Sequence, residues 1–81
     1  MTTTHVRAKG AMQALVNGSG KSRRAVSLSL GLGENVLTSY ASRGVIPGLP
    51  LIARIASVCG YTMQFVKGND TIVIDPEEDN D

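Results

Sequence analysis

Residues 23–42 read RRAVSLSLGLGENVLTSYAS, and the fold turns on how the glycine at position 31 divides them. Val26 and Leu30 stand one helical turn apart before it, Leu32 follows at once, and Leu37 and Tyr40 stand three apart beyond it. Residues three and four apart share one face of a helix, so the stretch predicts two short apolar faces meeting at a corner. Gly31 supplies the corner, because stopping a helix abruptly needs a backbone conformation that glycine adopts without steric cost. The two helices are predicted over about residues 23–30 and 34–42. Ser22 is placed to cap the first, and Glu34 puts an acid near the positive end of the second. Arg43 falls near the negative end of that second helix, and Gly44 stops it.

Working outward, Ala8, Met12, Leu15 and Val16 recur at spacings of three and four, which predicts an earlier helix over about residues 4–16 with Thr3 or Thr4 as its cap. Gly10 weakens its first turns, and the run Asn17-Gly18-Ser19-Gly20 is expected to end it. Downstream, Pro47, Gly48 and Pro50 mark a loop, and Pro50 suits the first turn of a fourth helix over about residues 50–59. Ile52, Ile55, Ala56 and Cys59 line one face of it, and Gly60 closes it, which makes Cys59 a buried small hydrophobe. Beyond Gly60 the period becomes alternating. Tyr61, Met63 and Phe65 share one face of a strand, Gly68-Asn69-Asp70 supplies a turn, and Ile72 and Ile74 share a face of a second strand, giving a hairpin over about residues 61–74. Residues 76–81, PEEDND, are too polar to fold and are expected to form a disordered acidic tail. The fold class expected is mainly α: four helices and a C-terminal β-hairpin in one domain, residues 1–75.

The 81 residues carry a net charge of only +1, but the signs are segregated. Residues 1–67 hold all eight Lys and Arg against a single acid, Glu34, and residues 68–81 hold the other six acids. A basic body suits a polyanionic partner, since a cation placed against a phosphate releases condensed counterions; a solvated surface is the plainer alternative. With 4% aromatic residues, stacking platforms for single strands are not expected. Cys59 and His5 are each alone in their residue type, so neither a metal site nor a disulfide is expected, and no cofactor. No apolar run reaches membrane-spanning length and the polar start lacks a signal-peptide pattern, which places the chain in a reducing cytoplasm by expectation.

Gly18-Ser19-Gly20-Lys21-Ser22 resembles the end of a phosphate-binding loop, but the pattern wants a glycine where Leu15 stands and a strand leading in where a helix is expected. No pair of acid and base, and no nucleophile with its base, can be assembled around His5 and Glu34, so no catalytic residue is assigned and an enzyme is not expected.

Residues 22–61 resemble the Cro/C1-type (lambda-repressor-like, XRE) helix-turn-helix family of DNA-binding regulators. The resemblance rests on a small residue, a turn glycine and an apolar residue at Ser27, Gly31 and Leu37, followed by Arg43-Gly44, Pro47, Ile52, Ile55-Ala56 and Gly60. The hairpin looks like the C-terminal addition of many short phage, prophage and antitoxin regulators. Three departures bear on the second helix of the motif: Ser27 replaces the usual alanine, Ser42 stands where a glutamate often precedes Arg-Gly, and Gly33 replaces a stronger capping residue.

The resemblance implies a repressor of phage, prophage or mobile-element type that binds a two-fold operator as a homodimer, in the cytoplasm at the nucleoid. It places the 34–42 helix in the major groove with Val36, Leu37, Tyr40 and Ala41 turned inward. Glu34, Asn35, Thr38, Ser39 and Ser42 are then the candidates for base contact, with Asn35 suited to adenine, Glu34 to a cytosine amino group, and Thr38 or Ser39 to a thymine methyl or a phosphate. Lys21, Ser22, Arg23, Arg24 and Arg43 are the candidates for phosphate contact; Arg7 and Lys9 either reach a neighbouring phosphate or are solvated. Thr71, Ile72, Val73 and Ile74 are the dimerisation candidates, by edge-to-edge pairing with a twin strand; the alternative is that the hairpin covers the helical core. A different class of function stays open, an antitoxin or other protein-binding module whose hairpin and tail bind a partner protein.

Overall fold

The computed structural model describes residues 2–76. The tail beyond Pro76 lies outside the described residues. Four helices, α1 (Ala11–Ser19), α2 (Arg23–Ser29), α3 (Val36–Arg43) and α4 (Leu49–Val58), precede two antiparallel strands, β1 (Met63–Lys67) and β2 (Asp70–Ile74). Met12, Val16, Val26, Leu30, Leu37, Ile52, Ile55 and Cys59 form one buried cluster, so all four helices contribute the apolar faces that their spacing predicts. Ala53 and Ala56 are buried beside them.

The first helix departs from expectation at both ends. Residues 2–7 form no helix, and Ala8–Gly10 make a single 3₁₀ turn before α1 begins at Ala11. Neither Thr3 nor Thr4 caps anything, Arg7 precedes the turn without a side-chain cap bond, and Ala8 is exposed. At the other end, Asn17, Gly18 and Ser19 continue the helix, and the side chains of Asn17 and Ser19 bond back onto it rather than breaking it. Gln13 Nε2 donates to Asn17 Oδ1 at 2.8 Å, and Ser19 Oγ donates to the Val16 carbonyl at 2.6 Å. Gly18 leaves room that a side chain would fill: a Cβ there would overlap the Tyr61 hydroxyl, which closes over this point of α1.

The corner at Gly31 has the expected conformation, with φ at +77°. Gly31 N–H donates to the Leu28 carbonyl and Leu32 N–H to the Ser27 carbonyl, each at 3.0 Å, the paired bonds that satisfy the last carbonyls of a helix ending on a left-handed residue. The same pairing recurs at the ends of α3 and α4, where Val45 N–H reaches Tyr40 and Tyr61 N–H reaches Ala56. Each stop is a glycine followed by an apolar residue: Gly31-Leu32, Gly44-Val45, Gly60-Tyr61. Pro50 occupies the first turn of α4, which starts one residue earlier than expected.

The strands are shorter than the predicted hairpin. Tyr61 precedes β1 rather than sharing its face, and Asp70 belongs to β2, opposite Lys67, leaving Gly68 and Asn69 as the loop. Met63 and Phe65 lie across from Ile74 and Ile72 on one face. Only the base of this face meets the helices: Met63 packs on the core and Ile74 is half-buried, while Phe65, Val66, Ile72 and Val73 are exposed.

Candidate nucleic-acid interface

The α2–α3 pair carries most of the candidate residues, and its geometry starts from two serines. Ser22 Oγ accepts from Ala25 N–H at 3.1 Å, capping α2 as its position predicts. Ser27 is wholly buried, and its Oγ accepts from Leu37 N–H at 3.2 Å. Leu37 is the second residue of α3, one of the positions whose N–H has no partner within a helix. Asn35, at the N-cap position, makes no side-chain cap bond, so the cap comes from the neighbouring helix instead. The Ser27 hydroxyl thus ties the first turn of α3 to α2.

That start is at Val36, two residues later than expected, and no acid stands in the first turn. Glu34 lies in the turn before it, where its carboxylate forms an ion pair with Arg24 Nε; both side chains are exposed. A candidate base reader and a candidate phosphate contact are therefore partners of each other. Asn35, Thr38 and Ser42 are exposed on and beside α3, and Ser39 is half-buried. Leu37 is buried, Val36 and Tyr40 are half-buried, and Ala41 is exposed rather than turned inward, because α3 presents only a narrow stripe to the core.

Among the phosphate candidates, Lys21 and Arg24 are exposed and Arg23 is half-buried. The Ser22 hydroxyl is engaged in its cap. Arg43 is exposed at the end of α3, and its Nε donates to the Ser39 carbonyl at 3.5 Å, a weak bond. Arg23 and the exposed Ala41 share the wall of an open cleft of about 450 Å³ with Lys9, Tyr40, Val45 and Ile46. Lys9 and Arg23 thus line one cleft, an association that spacing along the chain does not reveal because the residues come from separate elements. Arg54, by contrast, leaves the basic surface: it is half-buried in α4, and its Nη2 donates to the Leu30 carbonyl at 2.9 Å, serving the end of α2.

The dimerisation candidates lie apart from this surface on β2, with Thr71, Ile72 and Val73 exposed and Ile74 half-buried. Among the described residues, no group of three His, Cys, Asp or Glu stands close enough to hold a metal ion, and no helix is long and apolar enough to cross a membrane. The arrangement offers small polar groups along one helix with cations before and after it, a pattern suited to base edges flanked by phosphates. Compared with known proteins, the chain matches no family model, no curated protein and no solved structure.

Proposed function

We propose that this chain is a helix-turn-helix regulator that binds double-stranded DNA sequence-specifically, a transcriptional repressor acting as a homodimer on a two-fold operator in the cytoplasm. The observation that carries the reading is the exposure of Asn35, Thr38 and Ser42 along α3 while Ser27 and Leu37 lock that helix onto α2. A side chain reads a base edge through hydrogen bonds only when its helix is held rigidly, and the buried bond supplies the rigidity. Lys21, Arg23 and Arg43 take the role of positioning contacts to phosphates, which fix register without reading sequence. Two copies with half-sites about one helical turn apart, roughly 34 Å, would double the base contacts of one small unit.

The test is binding to DNA selected from a random pool. Asn35→Ala with Thr38→Ala should lose about 1–3 kcal/mol per base contact on the selected site and almost nothing on unrelated DNA. Arg23→Gln should weaken both and lower the salt slope by about one. Affinity indifferent to sequence in the unaltered protein would sink the proposal.

The exposed apolar residues of the hairpin favour one other reading, a protein-binding module such as an antitoxin. Co-purification of a second protein, lost on deleting residues 61–81, distinguishes it.

A further inference from the structure

α1 packs chiefly on α4 and α3 chiefly on α2, and the open cleft of about 450 Å³ is lined by residues from the beginning of α1, the first residue of α2 and the end of α3 with the loop that follows it. That volume lies within the range of small-molecule sites, which are mostly apolar with a few polar groups that fix orientation. The lining has this make-up. Met12 and Pro47 are buried in it and Tyr40 is half-buried, while Val45 and Ile46 stand exposed at 44% and 49%. Met12 is unbranched and flexible, so this part of the lining adapts to the shape of a guest.

Two cations complete the lining, Lys9 from the 3₁₀ turn before α1 and Arg23 from the start of α2. Among the described residues, no acid lines the cleft, and neither cation forms an ion pair or a side-chain hydrogen bond. Arg24, the next residue, is the contrast: its charge is already matched by Glu34. The cleft therefore joins an apolar surface to two unmatched positive charges, a combination that calls for a guest with both an apolar body and a negative end.

We propose that this cleft binds a small amphipathic carboxylate, with its apolar body on Met12, Tyr40, Ile46 and Pro47 and its charged end between Lys9 and Arg23. The pairing of chemistries selects this guest. Inorganic phosphate or a stretch of DNA backbone matches the two cations but leaves the apolar lining in water. The chain's own acidic end, residues 77–81, EEDND, has no apolar side chain to fill it. A neutral apolar molecule covers the lining and forgoes the charge-assisted bonds, which are roughly twice as strong as neutral ones. Arg23 is also a phosphate candidate, so under the proposed function the guest and DNA compete for it. The site does not rest on that reading. Its test uses no DNA, so either can fail alone.

The experiment is a titration of the 81-residue chain with octanoate, followed through amide NMR shifts, beside octanol and inorganic phosphate as control probes. Octanoate should shift Met12, Tyr40, Val45 and Ile46 saturably and leave Phe65 and Ile72 of the hairpin unmoved. Octanol and phosphate should each bind at least ~tenfold more weakly. Lys9→Gln with Arg23→Gln should raise the octanoate Kd at least ~tenfold. Ala41→Phe, a larger side chain at an exposed position of the lining, should raise it too. Lys9 and Ala41 are exposed, so thermal melting of Lys9→Gln alone and of Ala41→Phe should match the parent. The absence of a saturable shift, shifts centred on the hairpin, octanol or phosphate binding as tightly as octanoate, or an unchanged Kd in either variant would overturn the proposal. So would movement of the cleft's amides, without octanoate, on raising the protein concentration or on deleting residues 77–81. Those results would give the cleft to a second copy or to the chain's own acidic end.

Discussion

Replacing Ser27 with alanine leaves the Leu37 N–H buried without its partner, a loss of about 1–3 kcal/mol. In a domain this small each kcal/mol moves Tm by about 4–8 °C, so thermal melting by circular dichroism should show the change clearly. A variant as stable as the parent would mean that α3 finds another cap. Gly18 and Tyr61 make a second residue-level test. Alanine in place of a helical glycine gains about 1 kcal/mol in propensity, but here its methyl must displace the Tyr61 ring. Gly18→Ala is therefore expected to be neutral or destabilising alone and stabilising by about 1 kcal/mol in a Tyr61→Ala background. A double-mutant cycle with coupling below about 0.5 kcal/mol would show that the tyrosine yields freely.

At the scale of elements, the ends of α2, α3 and α4 and the starts of α2 and α4 were legible, whereas both ends of α1 and the start of α3 were not. Gly31, Gly44 and Gly60 each end a helix by a bond pattern that uses only the last turn and the two residues after it, so local sequence contains the whole signal. The start of α3 depends on a hydroxyl ten positions earlier on another helix, which no local rule reads. The start of α1 failed for a different reason: threonines at 3 and 4 look like caps, yet nothing apolar before Ala11 anchors a turn to the core. For the candidate interface, exposure of Asn35, Thr38 and Ser42 followed from periodicity, whereas the Arg24–Glu34 pair joins a helix to a turn and was hidden. Both partners of that pair are exposed, so Glu34→Gln should change stability by no more than about 1 kcal/mol. Under the proposed function its effect belongs to DNA binding. Freed of its carboxylate, Arg24 becomes available to a phosphate, and the salt slope on unrelated DNA should steepen by about one; an unchanged slope would show that Arg24 never meets the backbone.

Over the whole molecule, the cations divide between those that face solvent and one that serves a helix end, and exposed apolar side chains occur both on the helical part, as at Leu28, Val45 and Ile46, and on the hairpin. The cations of the α2–α3 region lie on the helical part, Arg54 is withdrawn to the end of α2, and the exposed apolar side chains of Phe65, Val66, Ile72 and Val73 project on the hairpin. Composition revealed the basic body but not this division, because a cation that serves a helix end and one that faces solvent are the same letter. The lone cysteine gives the whole fold a reporter. Cys59 is buried where α4 ends and the chain turns toward β1, in a cluster to which all four helices contribute. A thiol in that place reacts with a water-soluble disulfide reagent only when the core parts, so its labelling rate counts opening events rather than surface collisions. Ligands that bind the closed form slow such labelling in proportion to their occupancy. Under the proposed function, titrating operator DNA should therefore lengthen the labelling time of Cys59, giving a clock for association that needs no dye, no tag and no altered residue.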